Sequence, residues 1–292
     1  MSKISKDDIT RVKALGFLHD KNTEDIFNGR VITRNGKITA EECHIISEAS
    51  KKFGSGEISM TVRMTMEIQG VKYDDIDAVC EELKSHGLFS GGTGTKVRPV
   101  VSCKGTTCRF GLIDTFSLSQ KIHERFFVGY NSVKLPHKFK IAVGGCPNNC
   151  VKPDLNDVGV IGQRTPLVDE EKCRACKVCV IEKNCPIHNA KKQEKIVIDD
   201  KGCNNCGRCV GKCPFGAIGE KVTGYRVYIG GRWGKKTANG KMIDKLFESE
   251  DEVLDFIEKT INYYKDNGVD GERFADTINR IGFDEVQKAL LK

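Results

Sequence analysis

Fourteen of the 292 residues are cysteines, and twelve of these fall into groups whose spacing suits metal ligation. Cys146 and Cys150 sit in the stretch from Val143 to Lys152, where the apolar run Ile141, Ala142, Val143 gives way to glycines, and Cys103 and Cys108 lie upstream. Downstream, Cys173, Cys176 and Cys179 recur every third residue and are followed by Cys185-Pro186. Cys203, Cys206 and Cys209 repeat the pattern before Cys213-Pro214. Thiolates at such spacing in a curled loop point into one small volume, so zinc, a redox pair and an iron–sulfur cluster are the chemistries on offer. A second chemistry is cationic. Lys138 and Lys140 share one face of an extended segment, six residues before Cys146, while Arg98 precedes Cys103 and Arg109 follows Cys108.

The two tandem cysteine runs decide between zinc and iron. They are the internal duplication of a bacterial-type two-cluster ferredoxin, in which three thiolates grip one 4Fe–4S cube and the fourth comes from the other half. One cluster is therefore expected on Cys173, Cys176, Cys179 and Cys213, the other on Cys203, Cys206, Cys209 and Cys185. The first half departs from the pattern, with five residues instead of three between Cys179 and Cys185.

The elements that must position these groups read as β-α-β-α at the start. A short helix is expected over Asp7 to Leu15. A strand at Arg30 to Thr33 turns at Asn35-Gly36, and the capping box Thr39-Ala-Glu-Glu42 opens a helix. Ile58 to Ile68 alternates apolar and polar without a break, predicting one half-buried strand that presents Thr61, Arg63 and Gln69 on its polar face. A second helix carries Ile76, Val79, Cys80 and Leu83. Cys43 and Cys80 fall on the apolar faces of these helices and are expected to be buried free thiols. A helix is expected over Leu112 to Phe127, and strands over Asp157 to Gly162 and Gly224 to Gly231, the second lying next in the same sheet. The block between them reads as an insertion. The tail is helical, with Val253, Ile257, Ile261 and Tyr264 on one face and Phe274, Ile278 and Ile281 on another.

Composition narrows the class. Residues 1–12 hold no apolar signal core and no apolar run is long enough to span a bilayer, so reduced thiols in a cytoplasmic protein away from membranes are expected. The formal charge of +7 comes from 47 basic and 40 acidic residues without a basic run interleaved with aromatics. Cationic pockets for anionic ligands explain it better than nucleic acid does.

From Arg30 onward the chain resembles the sirohaem-dependent sulfite and nitrite reductases. Gly145-Cys-Pro-Asn-Asn-Cys150 is similar to the family's C-x3-C motif, and Cys103 and Cys108 correspond to its upstream pair, with four intervening residues where five are common. The resemblance implies that these four thiolates hold a 4Fe–4S cluster, bridged by Cys150 to the sirohaem iron. Leu135-Pro-His-Lys-Phe-Lys140 resembles the substrate-lysine motif, which with Arg30 and Arg98 assigns four cations to the substrate. Residues 60–70 resemble the sirohaem-contacting strand, implying cofactor contacts for Thr61, Arg63 and Gln69, with Arg109 and Asn148 beside them; Ser59 stands where an arginine is frequent. The implied fold is α+β: an N-terminal segment (1–29), a ferredoxin-like half-domain (30–98), a sirohaem/4Fe–4S domain (99–165 and 222–292) and an inserted two-cluster ferredoxin domain (166–221). The implied cofactors are sirohaem and three 4Fe–4S clusters, in the manner of small anaerobic sulfite reductases. The implied reaction is six-electron reduction of sulfite to sulfide, with electrons from a ferredoxin- or flavoprotein-type donor. Nitrite reduction and a non-catalytic electron carrier are the alternatives. Because one copy of a unit that larger relatives hold twice retains both the cations and the thiolates, a two-fold homodimer with composite sites is expected.

Overall fold

The computed structural model describes residues 4–292, which form two compact units. The first comprises the chain up to Ser102 with Phe116–Ala142 and Ile257–Lys292; the second comprises Cys103–Thr115 and Val143–Phe256.

The first unit begins with α1 (Lys6–Ala14), closed by a capping box in which Ser5 Oγ accepts from Asp8 N at 3.1 Å. Strands β1 (Phe17–His19) and β2 (Ile26–Val31) follow. The expected boundary at residue 30 falls inside β2, and Val12, Phe17 and Phe27 share one buried core with Val31, Ile46 and Ile68. The segment before Arg30 therefore belongs to the first core. Gly29 is required there, because a Cβ on it would meet the Phe17 ring at 2.4 Å. Asn35 and Gly36 both take positive φ (57° and 88°), and Arg34 and Lys37 exchange backbone hydrogen bonds across them, the two-residue turn expected of this pair. It feeds α2 (Ala40–Phe53), whose Thr39 and Glu42 form the capping box.

The expected single strand over Ile58 to Ile68 is instead a hairpin. Strand β3 (Ile58–Met60) pairs antiparallel with β4 (Met66–Lys72), placing Ile58 opposite Ile68 and Met60 opposite Met66. Met64, at φ 59°, supplies the left-handed turn residue, and Thr61 N donates to Thr65 O at 2.9 Å. Alternation survives in both arms of such a hairpin, and no glycine or asparagine marks its tip, so periodicity alone reads straight through it. The order β1-β2-β4-β3 makes a four-stranded sheet, whose core also takes Ile76, Val79 and Leu83 of α3 (Ile76–Ser85). Cys80 is half-buried, but Cys43 is exposed: α2 turns Ile46 and Ala49 inward and leaves Cys43 outside the stripe.

After the two-residue β5 (Val101–Ser102), α4 (Thr115–Ile122) starts three residues later than expected and ends in a π-helical turn, His123–Val128. Strand β6 (Ile141–Gly144) is wholly buried. In the second unit β7 (Val158–Val168) pairs antiparallel with β10 (Ile218–Ile229), from Val158 opposite Ile229 to Val168 opposite Ile218. The two strands expected in one sheet are thus neighbours, and both run longer than their apolar patterns. Between their far ends lie α5 (Val180–Asn184) and the hairpin β8 (Ala190–Lys192) and β9 (Ile196–Ile198). There Ile181, Ala190, Ile196 and Ile218 form a small core against Cys173, Cys179, Cys185, Cys209 and Cys213. Strand β11 (Lys241–Phe247) lies on the other side of β10. The chain closes with α6 (Glu250–Asn267), α7 (Phe274–Ile281) and α8 (Phe283–Leu291), which bury the expected Val253, Ile257, Ile261, Tyr264, Phe274 and Ile278. Among the described residues no helix is long and apolar enough to cross a membrane.

Candidate active site

Phe139 is fully buried, with Tyr264 and Phe274 at centroid distances of 5.6 Å each. Its N–H donates to Lys96 O (3.0 Å), and its carbonyl accepts from Arg98 N (2.8 Å). This is an extended segment bridged at one residue, not a full strand, yet the two-residue period holds: anchoring Phe139 leaves Lys138 and Lys140 together on the other side. Alternation does the same on β2, where Phe27 and Val31 are buried and Arg30 is half-buried.

These placements gather Arg30, Arg98, Lys138 and Lys140 around one cavity of about 330 Å³, with Arg63 and Lys13 beside them. Arg63 sits in the β3–β4 turn, its guanidinium donating to Pro99 O (3.0 and 2.6 Å) and Ile141 O (3.2 Å). Thr61 and Gln69 do not line the cavity. Thr61 Oγ1 is 2.6 Å from Thr65 Oγ1, and Gln69 Nε2 donates to Glu67 Oε1. Lys13 comes from α1, where nothing in the sequence distinguishes it from any solvent-facing helical lysine.

Arg30 is held by Glu67 (Nε to Oε2, 2.9 Å). Arg98 is different. One nitrogen donates to Gly92 O at 2.6 Å, while its Nε is buried without a partner. Burial, with the nearby charges of Arg30 and Arg273, pulls its pKa down to about 10. A partly desolvated guanidinium in that state is stabilised by an anion that reaches it. The cavity fits a small anion, and its six cations suit the carboxylate rim of a sirohaem.

The thiolate site is built differently. Cys103, Cys108, Cys146 and Cys150 converge: burial pushes the Cys146 thiol up, and Cys103, Cys150 and Cys108 add to the shift. Gly145 N donates to Cys103 Sγ at 3.1 Å. The two cysteine loops approach through glycine, because a Cβ on Gly105 would meet Gly145 Cα at 2.8 Å, and the reverse. Thr115 Oγ1 ties the first loop by donating to Cys103 O at 2.8 Å. Cys150 is exposed, whereas the other three are half-buried. Asn148 and Arg109 line a cleft with Cys146.

The downstream cysteines divide across the duplication. Cys185 shares a cavity with Cys203, Cys206 and Cys209, while Cys213 lines another with Cys173, Cys176 and Cys179. Burial raises Cys209 to about 11, its own backbone N–H opposes this, and Cys203, Cys206 and Cys185 add to it. Backbone N–H groups donate to sulfur at Cys185 (from Asn189, 3.3 Å) and Cys203 (from Asn205, 3.4 Å). Among the described residues no three His, Cys, Asp or Glu side chains close around a single ion. An all-cysteine quartet is a donor set that a 4Fe–4S cluster takes.

Comparison with known proteins agrees with this chemistry. Residues 93–292 match the nitrite and sulphite reductase 4Fe-4S domain, and residues 19–86 match the nitrite/sulfite reductase ferredoxin-like half domain. A coenzyme F420-dependent sulfite reductase of Methanocaldococcus jannaschii is 32% identical over 260 residues, covering 86% of this chain but 40% of that protein. A component of the anaerobic sulfite reductase of Salmonella typhimurium is 28% identical over 237 residues, covering 73% of this chain and 66% of that component. The chain therefore spans less than two thirds of each. The crystal structure of dissimilatory sulfite reductase I superposes with a TM-score of 0.74 at 22% identity, covering 92% of this chain and 70% of that one, which shows a shared fold. The chain belongs to the nitrite and sulphite reductase 4Fe-4S family.

Proposed function

We propose that this chain reduces sulfite to sulfide by six electrons at a sirohaem coupled to a 4Fe–4S cluster, with two ferredoxin-type clusters relaying electrons from a donor protein. The observation that carries the reading is Arg98, half-buried, with a buried Nε that has no partner and a pKa lowered to about 10, in a cavity ringed by five more cations. Sulfite is a small dianion, and an electron-rich iron repels it. Arg30, Arg63, Arg98, Lys13, Lys138 and Lys140 offset that repulsion and stabilise charge as S–O bonds break. Lys138 and Lys140 carry ammonium protons that pass to the departing oxygens, which leave as water. Cys103, Cys108, Cys146 and Cys150 would hold the cluster, with Cys150 on the sirohaem side, and the sirohaem when bound would supply the redox-active iron. Cys150 is the exposed member of its quartet, as a thiolate shared with a second group requires.

The composite homodimer belongs to the same proposal: the cations of one protomer serve the sirohaem held by Cys150 of its mate. Confirmed mixed dimers of a Lys138→Ala/Lys140→Ala chain with a Cys150→Ser chain should regain part of the activity, and inactivity in such dimers sinks the composite arrangement. Anaerobically purified protein should show sirohaem absorption bands and turn over sulfite with reduced methyl viologen. Absence of the bands leaves an iron–sulfur carrier. Turnover of nitrite without sulfite makes the chain a nitrite reductase.

A further inference from the structure

We propose that the two ferredoxin-type sites have distinct places in the relay: the cluster on Cys185, Cys203, Cys206 and Cys209 is the immediate donor to the cluster on Cys103, Cys108, Cys146 and Cys150, and Phe110 with Arg208 fills the gap between them. This rests on the three-cluster reading above.

Cys146 and Cys206 line the same cleft of about 690 Å³. The Cys173, Cys176, Cys179 and Cys213 set lines a separate cavity that contains none of the four upstream cysteines. Strand β7 fixes this inequality. At Gly162 it lies so close to the Cys146 loop that a Cβ would meet Gly145 O at 2.6 Å. Two residues on, about 7 Å along an extended chain, Arg164 N donates to Asn205 O at 2.8 Å and Arg164 bridges Cys206. One strand thus holds both cysteine loops.

Phe110 and Arg208 both line this cleft, with the Arg208 guanidinium 4.6 Å from the Phe110 ring centroid. A cation beside a cluster favours the state with the extra electron, so Arg208, although exposed, would raise the potential of the inner cluster, and the partly exposed Phe110 ring would narrow the cleft. One electron leaves the reduced inner cluster, which is oxidised, and arrives on the Cys146 cluster, which is reduced. No proton or leaving group moves in this step.

The test uses the full-length holoprotein without sulfite or nitrite, so the outcome does not depend on which substrate it reduces. Oxidised protein is mixed with reduced methyl viologen, and each cluster is followed by rapid-freeze electron paramagnetic resonance. Cys206→Ser should slow reduction of the Cys146 cluster by at least about tenfold more than Cys176→Ser does, with the two remaining cluster signals intact in each. Equal rates in the two variants overturn the order. Arg208→Gln and Phe110→Leu, which keep every ligand and should keep the full iron content, are expected to slow the same phase about fivefold. Arg208→Gln should also lower the midpoint potential of the inner cluster alone. An unchanged rate and potential in Arg208→Gln removes this pair from the path.

Discussion

The cationic cavity and the thiolate quartets solve opposite electrostatic problems. The cavity brings together six groups of one sign from α1, β2, the β3–β4 turn and the segments around Arg98 and Phe139. Arg30 is matched there by a carboxylate, Glu67, whereas Arg98 keeps a buried orphan nitrogen. The quartets bring together groups that are neutral as thiols and become anionic on ligation, and each draws at least two of its members from one short loop. Burial raises Cys146 and Cys209 and lowers Arg98, so at these three groups the charged form is disfavoured until a ligand arrives. Backbone N–H groups lower Cys173, and at Cys185 they outweigh burial, so the quartets also hold thiols already inclined towards the thiolate that iron takes.

The largest test of this contrast removes two of the cavity's three lysine charges. Lys138→Ala/Lys140→Ala should cut turnover by about 10²–10³-fold in a reduced-viologen assay while iron content stays at the wild-type level. A matching loss of iron would show that the two regions are not separable.

Arg98→Met should sharpen it by moving function and stability in opposite directions. KM for sulfite is expected to rise about tenfold to a hundredfold, ~1.4–2.8 kcal/mol of binding, while removal of a half-buried charge with a buried orphan Nε raises stability by up to ~1 kcal/mol in denaturant titration. The pH dependence carries the same sign. The folded pKa of about 10 lies below the ordinary guanidinium value, so the unfolded chain holds more proton between the two and this residue's stability contribution rises with pH across that window. Anion affinity at this cavity is expected to run the other way, falling as pH rises through about 10.

A partnered carboxylate in the first unit is the counter-example. Glu272 accepts from Arg280 (3.0 and 2.9 Å), Val269 N (3.0 Å) and Thr277 Oγ1 (2.9 Å), which together hold it at about 2 with Arg280 the largest cause. Its stabilising contribution is fully present above the ordinary 4.5 and lost as pH falls through about 2. Glu272→Gln should therefore cost about 1–2 kcal/mol at neutral pH, and the difference from wild type in thermal unfolding should close towards pH 2. The smallest effect is expected at exposed Cys43: Cys43→Ser should change stability by less than about 0.5 kcal/mol and leave iron content alone.

Legibility in the sequence followed the range of each constraint. Cys173, Cys176 and Cys179 lie within one loop, so their spacing announced the quartet. The exchange of Cys185 and Cys213 followed from the duplication, and the structure groups them in the same way. Lys138 and Lys140 were legible through the two-residue period. Lys13 was not, because its role depends on where α1 packs. The hairpin between β3 and β4 was read as one strand because its reversal uses Met64 in place of a glycine or asparagine. Nothing local to Gly105 or Gly145 signals their mutual approach, which joins segments 40 residues apart.

By itself the sequence determined the ligand types, their quartets, the family resemblance and most helices and strands, all of which rest on spacing within a few residues. The tertiary structure decided that Arg63 and Lys13 line the same cavity as Arg30, Arg98, Lys138 and Lys140, that Thr61 and Gln69 do not, and that Cys206 shares a cleft with Cys146. Those outcomes depend on distances between segments remote in the chain. Charge and burial act through space, and no local pattern encodes their sum.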